Sequence, residues 1–295
     1  MAGTAPAPAP SMAIDSLQTP QLGAAVRGCA EIGFVNRDEG TRLQRLYQHD
    51  PMRILFPNPA VGELPTAAIT NTGGGFVGGD HVKVTVSNGA HCRALVAQQA
   101  AEKIYRSAGQ VTEIDVSLRA EAASWLEWLP QETILFDQAQ MRRRTRIDVQ
   151  GSGRVLAGEI LVFGRAAMRE RFRRGLLREV WEVRRDDRLI WLDALHLEGE
   201  MGPIIHAPAG FDGAGASATA VYVGDDAGAH LQTARRCLTA RDQVRSAATL
   251  VNGVLVMRWL APRAQDLRQD FGDFWAKFRS EVADLPGRLP RLWHI

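Results

Sequence analysis

From about residue 24 to about residue 225, apolar and polar positions alternate in short runs separated by Gly, Asn, Asp and Pro. This is the pattern of half-buried strands. In "HVKVTVSNGAHCRALVA", Val82, Val84 and Val86 fall on one side and His81, Lys83 and Thr85 on the other. Asn88-Gly89 then predicts a hairpin into a second apolar-rich strand. Similar runs occupy Val111–Leu118, Ser124–Leu129, Arg142–Val149, Glu159–Phe163, Leu177–Val183, Leu189–Leu197, Thr219–Val223 and Gly253–Leu260. So many strands without regular intervening helices predict packed or coiled sheets, rich in antiparallel pairs, and exclude an alternating α/β fold.

The period changes in two places. Over Ala264–Ala283, Leu267, Phe271, Phe274, Trp275, Phe278 and Val282 form a helical stripe that Leu285-Pro286-Gly287 terminates. A second helix is predicted from Asp225 or Asp226, either of which suits an N-cap, through Leu231, Ala234 and Leu238. With no internal repeat or dividing linker, residues 23–295 read as one domain. Residues 1–22, rich in Ala and Pro, read as a disordered tail.

Composition narrows the functions open to such a chain. Its 295 residues are 45% hydrophobic and 23% charged, with 35 Lys+Arg against 33 Asp+Glu. The net charge of +2 supplies no field for nucleic acid or a membrane. Arg142, Arg144 and Arg146 share one face of a strand, but no interleaved aromatic residues offer stacking platforms for RNA. Cys29, Cys92 and Cys237 are odd in number and far apart, arguing against a disulfide framework or thiolate metal site and for a reducing compartment. No basic, apolar secretory leader opens the chain, and no run reaches the ~18 apolar residues of a membrane span. A soluble, cytoplasmic protein is expected.

Gly73-Gly74-Gly75-Phe76-Val77-Gly78 satisfies G-x-G-x-x-G. That motif holds a dinucleotide only where a helix N-terminus follows to receive the pyrophosphate, and here "HVKVTV" predicts a strand. The G-K-[ST] of a P-loop and the H-R-D and D-F-G of a kinase are also missing. Gly74, Gly75, Gly78 and Gly79 therefore read as structural, in a turn or a close backbone approach. A nucleotide-binding enzyme using Gly73–Gly78 is the alternative function.

Taken in order, "NTGGGFVGGD", "GAHCRALVAQQAAEKIYRS", "LEWLPQETILFDQA", "GEILVFGRAAMRE" and the C-terminal "PRLW" resemble the urease accessory protein UreD (UreH) family from about residue 30 to the end. The resemblance implies a mainly β fold of two sheet layers in a β-helix-like stack with a few helices. It also implies a non-catalytic chaperone of urease maturation, working with UreF and the GTPase UreG on the urease apoprotein, through which nickel supplied by another accessory protein passes. Ni2+ would then be a transient cargo, with no tightly bound cofactor. Where that family often carries Gly after Ala-Met, this chain has Arg169, which puts a tight turn there in question.

Cargo in transit suits ligands that hold and release, such as carboxylates, occasional imidazoles and water. The seven histidines are scattered, without H-x-H spacing, so any path must be assembled by the fold. Carboxylates embedded in apolar strands stand out, because a buried charge needs a partner, a proton or a metal. Asp80, Glu159 and Glu182 are of this kind, and the resemblance aligns them with acidic positions along the proposed metal route. The plainer readings stay beside these: a turn cap for Asp80, an ion pair with Arg165 for Glu159, and a solvent-facing position opposite Trp181 for Glu182. His91 and Cys92, adjacent on a strand, point to opposite faces and read as an exposed histidine and a packed cysteine. Lys103, Tyr105 and Arg106 belong to a hallmark of the resembled family and are candidate partner contacts, against solvated tips at a strand edge. Phe271 and Trp275 are candidates if the last helix docks UreF, although such stripes usually face a core.

Overall fold

The computed structural model describes residues 25–38, 40–239 and 241–294; the predicted disordered tail lies outside them. The chain opens with an antiparallel pair, β1 (Arg27–Arg37) and β2 (Gly40–His49), at the edge of a first sheet. It crosses to a second sheet for β3 (Met52–Leu55) and β4 (Thr66–Asn71), then returns to the first for β5 (His81–Asn88) beside β1. The crossings continue. β6 (Arg93–Gln98) joins the second sheet, with β7 (Glu102–Ile104) on a short side ladder; β8 (Thr112–Ala120) joins the first. β9 (Trp125–Leu129) and β10 (Glu132–Leu135) belong to the second, β11 (Gln140–Val149) to the first and β12 (Arg154–Phe163) to the second.

β13 (Arg174–Arg185) and β14 (Arg188–Glu200) close the first sheet as an antiparallel pair, and the short helix α1 (Met201–His206) follows. β15 (Ala216–Val223), then helix α2 (Leu231–Cys237), β16 (Arg245–Val251) and β17 (Val254–Ala261) extend the second sheet by antiparallel pairing, and helix α3 (Ala264–Ala283) covers it. The first sheet has the order β14-β13-β11-β8-β5-β1-β2, the second β16-β17-β15-β12-β9-β6-β4-β3.

This is the expected mainly β stack of coiled sheets, with one difference. Antiparallel pairs are confined to the margins; β1, β5, β8, β11 and β13 run parallel, as do β4, β6, β9 and β12. Because the chain leaves a sheet after each central strand, it re-enters in the same direction.

The Asn88-Gly89 hairpin is therefore corrected to a corner between sheets. β5 and β6 share no ladder. The buried Asn88 amide donates to the carbonyls of Cys92 and Trp125, at 3.1 and 3.0 Å, tying one coil to the next. A Cβ at Gly89 would lie 2.9 Å from the Phe34 carbonyl oxygen, which is why glycine sits there.

Two cores result. One fills the space between the sheets, with Val82, Val84, Val86, Leu126, Trp128 and Trp181 among its members; the other lies between the second sheet and α3. Every residue of β9 is buried, because one face meets the first sheet and the other the helix. The predicted α3 stripe is buried in full. Its centre presses on Gly158 of β12, where a Cβ would lie 2.6 Å from the Phe271 ring. The helix expected to start at Asp225 or Asp226 is corrected: α2 begins only at Leu231, with His230 as its N-cap, and the Asp226 carboxylate instead accepts from the Tyr222 hydroxyl at 2.6 Å and pairs with His230. His91 is exposed and Cys92 buried, as expected, but not through strand alternation: both precede β6, and His91 sits in a turn with φ of +59°.

Candidate functional site

β11 and β13 turn alternate side chains inward: Met141, Arg143, Thr145 and Ile147 from one, Leu177, Glu179, Trp181 and Val183 from the other. The parallel register sets Arg143 opposite Glu179. From the facing sheet, β12 presents Glu159. Arg143 spans the gap, donating to Glu179 Oε1 at 2.7 Å, to Glu159 Oε2 at 2.6 Å and to Thr133 Oγ1 at 2.9 Å. The Trp181 indole donates to the other Glu159 oxygen at 3.1 Å. Both carboxylates and the guanidinium are nearly sealed from solvent, with side-chain exposures of 6%, 2% and 9% for Glu159, Glu179 and Arg143.

One cation faces two buried carboxylates, and the imbalance appears in the acidity of Glu179. Burial pushes the Glu179 carboxyl well above the usual range, with Arg143 opposing the rise and the Glu159 charge adding to it. Its Oε2 has no hydrogen-bond partner among the described residues, leaving an oxygen free for a proton or a cation. Burial disfavours the Arg143 cation, but the Glu179 and Glu159 charges outweigh that and hold it charged. Further along, Glu102 of β7 accepts from the Asn71 amide at 3.0 Å and from the Lys103 backbone N–H. Burial pushes its carboxyl up to about 7.

A cavity of about 30 Å³, lined by Glu102, Thr133, Arg143 and Glu159 among apolar side chains, lies on one side of the bridge. That is room for about one water. On the other side a cavity of about 300 Å³ is lined by Glu159, Glu179, Ser217, Thr219, Asp193 and Arg258. Glu159 borders both. Thr219 stands opposite Glu159 on the next strand and Arg258 opposite Thr219 on the one after, so these residues share a sheet face. Arg258 donates to Asp193 at 2.7 Å at the far end, where both are partly exposed. Oxygen donors thus form a line across the inter-sheet space from Glu102 to Asp193. Among the described residues no three His, Cys, Asp or Glu side chains converge to hold a metal ion.

Of the carboxylates singled out from sequence, only Glu159 lies on this line, and its cationic partner is Arg143; Arg165 pairs with Glu170 instead. Asp80 is buried, and its two oxygens accept from the backbone N–H groups of Val26 and Val77, both at 2.8 Å, so its charge organises the turn entering β5. Glu182 projects from the outer face of β13, 3.5 Å from Arg144 and 3.3 Å from Arg146. The strand's alternation separates it from Trp181 and gives the inward position to Glu179. Counting by twos from Trp181 finds Glu179. Arg143 was hidden inside the run Arg142–Arg144, where only strand parity tells the inward guanidinium from its outward neighbours.

The glycine segment is filled by protein. Tyr105 lies over it, donating from its hydroxyl to the Gly74 carbonyl at 3.0 Å, and a Cβ on Gly75 would lie 2.5 Å from the Tyr105 ring. Gly78 is crowded by Ser107 and Gln110, and Gly74 and Gly79 have φ of +79° and +95°. The segment runs directly into β5, so no helix N-terminus is present. Lys103 and Arg106 are exposed and Tyr105 is half-buried. Phe271 and Trp275 are fully buried, which corrects their candidacy as partner contacts: a side chain already packed against the second sheet offers no surface to another protein. Trp275 also donates to Glu127 at 2.8 Å, where Arg279 forms a second fully buried ion pair at 3.0 Å.

This is the geometry of a coiled β scaffold with a polar line running between its sheets. The profile of the family described as UreD urease accessory protein matches residues 26–294. A urease accessory protein UreD of Magnetococcus marinus is 42% identical over 274 residues, covering 92% of this chain and 94% of the relative. One from Xanthobacter autotrophicus is 41% identical over 86% of this chain and 84% of its own length. Another, from Rhodopseudomonas palustris, is 38% identical over 94% of each chain. The chain belongs to the UreD family of urease accessory proteins, and its role lies in urease maturation.

Proposed function

We propose that this protein is the scaffold and metal-conduit subunit of the accessory complex that inserts nickel into apo-urease, assembling with UreF and the GTPase UreG on the urease apoprotein, and that it acts without catalysing a reaction of its own. The observation carrying the conduit is the inter-sheet line of oxygen donors, above all the unpartnered Glu179 Oε2 beside Glu159. A hydrated divalent cation entering the cavity of about 300 Å³ meets carboxylates that are already desolvated. It gains Coulomb attraction there, while the Arg143 charge keeps the site from becoming a trap. Glu159 and Glu179 are the metal-facing residues of this reading, Glu102 the next along the line. Asp80 supports the turn, and Glu182 belongs to the outer charged face.

The test is expression of a urease gene cluster carrying Glu159→Gln, Glu179→Gln or both, with urease activity and nickel content as readouts. Loss of nickel with the variant still bound to the assembly is expected; wild-type loading in the double variant would refute the conduit. Deleting the gene is expected to leave urease folded and nickel-poor. The alternative, a nucleotide-binding enzyme, has Tyr105 lying where a cofactor would have to enter. Equilibrium dialysis of this subunit alone with NAD or GTP is expected to show no binding.

A further inference from the structure

Between the loop joining β12 to β13 and the segment around α1 lies a surface cleft of about 900 Å³, large enough for several side chains of a ligand. Its floor is apolar, built from the buried Phe163, Phe172 and Ile205. Its rim is cationic. Arg169 and Arg171 are exposed and, among the described residues, make no side-chain hydrogen bond or ion pair, while the neighbouring acids are engaged elsewhere: Glu170 by Arg165, Asp137 by Arg173 and Asp266 by Arg263. His206, also on the rim, donates from Nδ1 to the Gly202 carbonyl at 2.8 Å, leaving Nε2 uncommitted. Met168, 72% exposed, stands on the same loop just outside the cleft lining.

Arg169 adds a second, independent indication. It occupies the left-handed region, at φ 56° and ψ 23°, closing the 3-10 turn Ala166–Met168. Glycine or asparagine meets that need with less strain, and among the described residues the arginine side chain makes no hydrogen bond or ion pair in return. Strain of this kind persists where a side chain is wanted for something other than folding.

We propose that the cleft binds an acidic segment of a partner protein, with an apolar side chain seated on Phe163, Phe172 and Ile205 and carboxylates on Arg169 and Arg171. The excess positive rim selects anionic sequence, and the greasy floor selects a peptide over a free anion. This holds whether or not the inter-sheet line carries nickel.

The experiment is fluorescence anisotropy of the full chain with a fluorescein-labelled peptide alternating Glu with Leu and Phe, compared with a twin carrying Lys for Glu. The acidic peptide is expected to bind and its twin not to. Arg169→Gly and Arg171→Ala are each expected to weaken binding by about tenfold, while the melting temperature of Arg169→Gly does not fall, since glycine accepts the left-handed turn. The proposal is overturned if the twin binds equally well, if both variants retain wild-type affinity, or if inorganic phosphate displaces the peptide completely, which would mark a small-anion site.

Discussion

Glu102→Gln is a direct probe of the inter-sheet polar line. The Glu102 carboxyl is pushed by burial from its ordinary 4.5 up to about 7, against the opposing pull of the Asn71 amide, the Lys103 N–H and the Lys103 and Arg143 charges. At about 1.4 kcal/mol per unit, that rise corresponds to roughly 3 kcal/mol of strain once the group is ionised. The sign follows from proton binding. Between the two pKa values the folded chain holds a proton that the unfolded chain releases. The associated stability is present in full below the unfolded value and is lost as pH rises through the folded one. Glutamine keeps the side-chain shape and an oxygen for the Asn71 and Lys103 donors, but cannot ionise. Urea denaturation at about pH 8 is therefore expected to find Glu102→Gln more stable than wild type by roughly 3 kcal/mol, the gap closing to within about 1 kcal/mol near pH 5. A difference between the two proteins that does not change with pH would refute the reasoning.

Three further outcomes follow from the same geometry. Arg143→Met leaves Glu159 and Glu179 buried without their cation and is expected to cost about 3–5 kcal/mol, read from denaturant midpoints near neutral pH; a loss below about 1 kcal/mol would show that protonation fully compensates. Asp80→Ala strands the Val26 and Val77 amides and is expected to destabilise by about 1–3 kcal/mol, with hydrogen exchange accelerating at those two positions before it does elsewhere. Phe271→Ala opens the second core and is expected to cost about 3–5 kcal/mol. Under conditions where that variant is folded, its affinity for the maturation partners should match wild type, and selective loss of binding would contradict the burial.

Much of the fold was legible, for reasons particular residues make plain. The α3 stripe was readable because a helix covering a sheet buries one face only. Parity along β5 was readable because Val82, Val84 and Val86 share the core side. Parallel pairing was not, since Asn88-Gly89 has the same chemistry whether the next strand folds back beside β5 or crosses to the other sheet; only the receiving carbonyls of Cys92 and Trp125 decide. The site was half legible. Glu159 stands alone among apolar neighbours, whereas Glu182 drew notice from flanking Trp181 and Val183, the very residues whose inward orientation turns it outward. Arg143 and Glu179 become a pair only through a strand register some thirty-six residues apart, which no local pattern encodes.

In the interior of each sheet, spatial order repeats chain order: β1, β5, β8, β11 and β13 lie side by side in the sequence in which they are synthesised, as do β4, β6, β9 and β12. A nascent chain leaving the ribosome can therefore lay each new coil on one already in place, without waiting for a distant segment. What must wait is the lid. Glu127 on β9 receives Arg279 only once α3 has been made, so a chain that stops short of α3 leaves that carboxylate without its arginine on an uncovered apolar sheet. That makes the interval before α3 docks the one in which this protein most needs protection from its neighbours.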